Sequence, residues 1–167
     1  MDRRLAVIAA CCIPASLAMA GLVAPQPLFL INTSPSEPTG LYVRDFGDPA
    51  PGRLVAFRPP TAGRAYADAY LPEIGRGGIL KTFVGQAGDR ACAEDGVLRL
   101  NGKALGRIQA TDGAGRPLPR WSGCLVLGAG QHLAFSDRIP NSYDSRYYGP
   151  VSREDVIGVF EPLWVRP

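Results

Sequence analysis

Hydrophobic positions follow two regimes along this chain. From Leu5 to Ile31 they are almost continuous, with no charged residue among them. Beyond Asn32 they come as short apolar or alternating runs: Gly40–Val43, Leu54–Phe57, Ile79–Val84, Val97–Leu100, Cys124–Leu127, His132–Phe135 and Val156–Phe160. Runs of this length suit strands, and what separates them is turn chemistry. Gly47-Asp48-Pro49, Arg58-Pro59-Pro60, the stretch from Gly85 to Asp89 and Asn101-Gly102 all combine residues that tolerate or impose turn geometry. Asn101-Gly102 between Val97 and Ala104 predicts a tight hairpin. Only Thr61 to Tyr70 predicts a helix. The pattern predicts an all-β fold of short antiparallel strands, closed as a barrel or packed as two sheets. The polar, turn-rich stretch 92–123 reads as a small insertion, and no internal repeat is visible.

The first regime bears on location. Asp2-Arg3-Arg4 precedes it, and Leu5 to Ala24 supplies 20 residues, enough for a helix across a bilayer. Pro14 would kink such a helix, and Pro25 and Pro27 would end it. The expectation is a membrane anchor over residues 1–27, a transmembrane helix in contact with inner-membrane lipid, its N-terminus cytoplasmic. Residues 28–167 would then form a periplasmic domain. Ala18-Met19-Ala20 is also a small-x-small cleavage pattern, so a removed signal peptide is the alternative. Either puts the remainder outside the cytoplasm.

Composition narrows the chemistry. The 167 residues suffice for one domain with its own core. A net charge of +3, spread along the chain without a basic block, gives nucleic-acid binding no support. Cys92 and Cys124 lie in the exported portion, where an oxidising compartment favours a disulfide between them. No Cys/His cluster has metal-ligand spacing. The single His132 lies in a strand-like run and reads as structural, so a serine nucleophile here would need another base. The basic residues are 16 Arg and two Lys, Lys81 and Lys103.

Three segments could carry chemistry. Asn32 to Tyr42 places Ser34 and Ser36 in a loop stiffened by Pro35 and Pro38, although such composition also describes a surface linker. Lys81 has apolar neighbours in Ile79, Leu80, Phe83 and Val84. If its ammonium is desolvated, its pKa falls and the neutral amine can serve as a base. Arginine could not, since its guanidinium stays protonated. An edge-strand lysine reaching out to water is the competing reading. Asn141 to Val151 gathers Ser142, Asp144 and Arg146, either as scaffolding or to orient an amine.

Taken in order, these segments resemble the type I signal peptidase (leader peptidase) superfamily. The matching boxes are Ser34-Pro35-Ser36-Glu37-Pro38, the run from Lys81 to Gly85 with Gly88-Asp89, and Ser142-Tyr143-Asp144-Ser145-Arg146 with Gly149. The pattern Asn32…Ser36-x-Pro38-x-Gly40-Leu41-Tyr42 is most similar to conjugative transfer peptidases of the TraF type. Glu37, where housekeeping enzymes usually carry Met, and Thr82, where they often carry Arg, fit that placement.

The resemblance implies a serine endopeptidase with Ser36 as nucleophile and Lys81 as general base. That implied chemistry requires neither a metal nor another cofactor. It implies an oxyanion donor in the Ser34 hydroxyl, a Ser142 hydroxyl orienting the lysine, and Asp144 with Arg146 bracing the loop. The implied partner is an exported precursor, a conjugative pro-pilin or another preprotein, alongside components of a conjugation or type IV secretion apparatus. Hydrolysis and peptide cyclisation are both compatible with such a dyad. The alternatives are a housekeeping signal peptidase and a non-catalytic periplasmic component of a secretion apparatus.

Overall fold

A computed structural model describes residues 26–72, 74 and 78–166. The strands are β1 (Phe29–Asn32), β2 (Thr39–Asp45), β3 (Leu54–Phe57), β4 (Ile79–Gly85), β5 (Arg90–Glu94), β6 (Val97–Leu100), β7 (Lys103–Arg107), β8 (Gly123–Val126), β9 (Gln131–Phe135), β10 (Val151–Ser152) and β11 (Val156–Arg166). Helix α1 (Thr61–Tyr70) connects β3 towards β4, and the single turn α2 (Ser145–Tyr148) precedes β10. A seven-stranded, partly barrel-like sheet runs in the order β1-β2-β11-β3-β4-β9-β10, and a four-stranded sheet in the order β7-β6-β5-β8. Every pairing is antiparallel.

The turn chemistry explains much of this. At Asn101-Gly102 both residues have positive φ (52° and 82°), the geometry a two-residue hairpin needs, and β6 and β7 pair across it. Asp95-Gly96, which did not stand out in the sequence, makes the same turn between β5 and β6 (52° and 70°). Strands β1, β5, β7 and β10 lie outside the apolar runs. β1 was hidden in the long apolar N-terminal stretch, and β5 and β7 fall mostly in the segment that read as an insertion. That segment is a sheet in its own right. Ala91, Leu98 and Leu127 pack there against Leu133 and Phe135 of β9, so the second sheet shares a core with the first. Cys92 and Cys124 sit opposite each other on β5 and β8 and are joined as a disulfide.

β4 lies between β3 and β9, inside the larger sheet. Ile79 and Phe83 face one hydrophobic core and Leu80 another, because alternate residues of a strand face opposite sides. Lys81 falls on the Ile79–Phe83 side and is 3% exposed. An edge lysine reaching water does not describe it.

One expectation is corrected. Among the described residues no helix is long and apolar enough to cross a membrane; the longest, α1, has ten residues. The single-pass inner-membrane topology and the transmembrane helix of the expected fold are corrected to this extent: the described residues contain neither. The stretch Leu5–Ala24 on which they rested lies outside the described residues.

Candidate active site

The loop holding Ser34 and Ser36 is the connection of the β1–β2 hairpin. Asn32, the last residue of β1, closes its mouth opposite Gly40. Its amide nitrogen donates to the carbonyls of Ser34, Glu37 and Pro38, each at 3.0 Å, and its amide oxygen accepts the Ser34 N–H at 3.1 Å. One side chain thereby satisfies main-chain groups that a tight loop cannot pair internally. Gly40 is required by space as well as backbone. Its φ is +147°, and a Cβ there would lie 2.2 Å from the carbonyl oxygen of Trp164 on β11. Tyr42, fully buried, donates its hydroxyl to the Pro38 carbonyl at 2.5 Å and fixes the far end of the loop.

This folding brings Ser36 against β4. Lys81 Nζ lies 2.5 Å from Ser36 Oγ and 3.0 Å from the Leu80 carbonyl, to which it donates. Ser36 and Lys81 are each 3% exposed. Burial holds the Lys81 pKa down to about 8, against opposing pulls from the Asp144 and Glu37 carboxylates and with the help of Arg146. Ser34 Oγ lies 3.0 Å from Ser36 Oγ, and the Ser36 N–H points towards the same Ser34 oxygen at 3.4 Å.

The third segment braces the other two. Asp144 is fully buried and pairs with Arg146 through both carboxylate oxygens, at 2.8 Å to Nε and 2.8 Å to Nη2. It also accepts the Arg146 and Ser136 N–H groups, capping α2. Arg146 in turn donates to the carbonyls of Ser136, Pro140 and Ser142. Such a fork suits guanidinium geometry, which can tie several strands of chain to one carboxylate.

Ser142 is not brought into a hydrogen bond with Lys81. Its hydroxyl is buried without a partner among the described residues, in the wall of the cavity that Lys81 also lines. His132 stacks on Phe83 at 4.8 Å, outside that cavity.

The cavity has a volume of about 380 Å³ and is lined by Ser34, Ser36 and Lys81 together with apolar side chains that include Leu30, Leu71, Ile74 and Ile139. Two contributors escaped sequence reasoning. Ser136 donates its hydroxyl to the Ser36 carbonyl, and Glu37 anchors to Thr82. No local pattern marks Ser136. Glu37 was visible only as a departure from the housekeeping pattern.

A buried amine hydrogen-bonded to a serine hydroxyl, beside two further donors and an apolar trough, can generate and stabilise an attacking alkoxide. The family described as "Signal peptidase, peptidase S26" matches residues 3–164. The chain is 34% identical over 144 residues to a "Plasmid transfer protein TraF" of Escherichia coli, covering 80% of this chain and 81% of that one. A "Probable conjugal transfer protein TraF" of Sinorhizobium fredii is 32% identical over 147 residues, covering 81% and 76%. Among solved structures, a signal peptidase I from Enterococcus faecalis aligns at 20% identity and a TM-score of 0.39, covering 69% of this chain and 98% of that one.

Proposed function

This chain belongs to the signal peptidase family, peptidase S26, a family of serine peptidases, and we propose that its Ser36–Lys81 dyad processes an exported precursor of a conjugative transfer system, with a pro-pilin as substrate. The observation that carries this reading is the 2.5 Å contact between Lys81 Nζ and Ser36 Oγ in a desolvated setting.

In its neutral form, Lys81 accepts the Ser36 hydroxyl proton as Oγ attacks the scissile carbonyl. The oxyanion that forms is met by the Ser36 N–H and the Ser34 hydroxyl. The lysine then returns the proton to the leaving amine, giving an acyl-enzyme. Water activated by Lys81 releases the acid. Capture by the substrate's own N-terminal amine would instead close a cyclic peptide. The apolar side chains that line part of the cavity, Leu30, Leu71, Ile74 and Ile139, favour small hydrophobic residues before the scissile bond. The Cys92–Cys124 disulfide suits an oxidising compartment.

The test is cleavage of a precursor peptide by the purified chain and by Ser36→Ala, Lys81→Ala and Lys81→Arg. All three variants are expected to be inactive, arginine included, because a guanidinium does not release its proton at accessible pH. Substantial turnover by Lys81→Arg would end the Ser-Lys assignment.

A further inference from the structure

Two carboxylates are buried among the described residues, Asp144 and Glu37. Arg146 neutralises the first. Glu37, 6% exposed, is in no ion pair among the described residues, although it directly follows Ser36. A buried carboxylate without a counter-ion is costly unless its oxygens are hydrogen-bonded. Here one oxygen accepts the main-chain N–H of Thr82 at 3.1 Å and faces the Thr82 hydroxyl at 3.4 Å. Thr82 is the residue after Lys81. A single carboxylate therefore joins the residue following the nucleophile to the residue following the base.

The location matters as much as the bond. Thr82 pairs with Phe135, where β9 ends, so the nucleophile loop meets β4 where its strand neighbour stops. Asn32 organises the loop internally, and Ser136 holds the Ser36 carbonyl from the β9 side. Glu37 is the contact that ties the loop directly to the backbone of β4.

We propose that Glu37 is a positioning residue for the Ser36–Lys81 pair, its carboxylate clamping the nucleophile loop to β4 at Thr82. This rests on the Ser-Lys reading above. The clamp has an electrostatic consequence. The charged groups acting on Lys81 are Glu37 from the loop and Asp144 and Arg146 from the α2 segment, while Arg138 acts on Glu37. Burial raises the Glu37 pKa, while the Thr82 N–H and the Lys81 charge act to keep the carboxylate ionised. That anion favours the ammonium form of Lys81 and so opposes the effect of burial there. Removing that charge lowers the pH at which Lys81 becomes neutral.

Two variants separate clamp from charge. Glu37→Gln keeps an acceptor oxygen and loses the charge, whereas Glu37→Leu loses both. For Glu37→Gln, the rising limb of kcat/KM against pH is expected at lower pH than in the unmodified chain, with a smaller plateau loss than in Glu37→Leu. For Glu37→Leu, the plateau is expected to fall roughly tenfold or more, mostly in kcat, as the partly buried Thr82 N–H loses its acceptor. A Glu37→Gln limb that coincides with the unmodified one, or a Glu37→Leu plateau at the unmodified level, would overturn the proposal.

A second readout needs no catalysis. The chain has only two lysines, so carbon-13 labelling at lysine Cε gives two NMR signals, which a Lys103→Arg variant assigns. The Lys81 midpoint is expected at lower pH in Glu37→Gln, and an unmoved midpoint overturns the proposal even if Glu37→Leu fails to fold. If the midpoint moves but no Ser36-dependent cleavage is found, the peptidase reading fails while the placement of Glu37 beside Lys81 stands.

Discussion

The hydroxyl of Ser136 donates to the main-chain carbonyl of Ser36, one hundred residues earlier in the chain. Ser136 also donates its N–H to Asp144, and its carbonyl accepts from Arg146. The nucleophile loop is thereby linked to the Asp144–Arg146 pair through one residue that does not line the cavity. Ser136→Ala leaves the buried Ser36 carbonyl without that donor. The expected cost is about 1–3 kcal/mol in thermal or denaturant unfolding, with kcat reduced more than KM is raised. Unchanged stability and unchanged kcat together would show that the contact has no weight.

Lys81 makes opposite demands on stability and activity. Burial lowers its pKa from 10.5 to about 8, so the folded chain holds this proton less tightly than the unfolded chain does. Between those two values the unfolded state binds more protons, and stability rises with pH; below about 8 the penalty is constant. Lys81→Met removes the penalty. It is expected to be more stable than the unmodified chain at pH 7, by on the order of 3 kcal/mol. That gap should close as the pH approaches 10.5, as denaturant titrations across the range would show. The same ionisation should appear in kcat/KM as a single rise centred near pH 8.

Ser34→Ala tests the second oxyanion donor. The Ser34 hydroxyl lies 3.0 Å from Ser36 Oγ, within reach of the developing oxyanion. Its removal is expected to lower kcat by roughly 100- to 1000-fold with little change in KM, because the oxyanion exists only along the reaction path. A turnover number within twofold of the unmodified chain would take Ser34 out of the mechanism.

Asp144→Asn breaks the buried ion pair from one side. Arg146 is 3% exposed and would keep its charge with its main counter-ion gone. Breaking such a pair typically costs about 3–5 kcal/mol, which chemical denaturation would read directly. Replacing both members by uncharged residues is expected to cost less than Asp144→Asn alone. The reverse order would mean that the pair holds the loop by geometry rather than by charge balance.

Local chemistry determined a large part of this protein by itself. Turn residues marked the breaks between strands, and helix α1 forms over the segment Thr61–Tyr70 that the sequence predicts. Ser36, Lys81, Asp144 and Arg146 stood out because their residue types and order resemble one family, a signal that survives without any geometry. β1 and β5 were not legible, and β7 only as the return arm of the Asn101-Gly102 hairpin, because a strand's identity depends on the partner it pairs with more than on its own run of apolar residues. The ionisation of Lys81 was open on the sequence, since an edge strand and a central strand can carry the same letters. Only the placement of β4 between β3 and β9 buried the amine. Glu37 and Thr82 were legible only as two separate departures from a pattern. They became one interaction when the hairpin loop folded onto β4 and brought residues 45 positions apart within 3.1 Å. Ser136 carried no signal at all, because a hydroxyl acquires its role from the carbonyl it meets, and chain order does not say which one that will be.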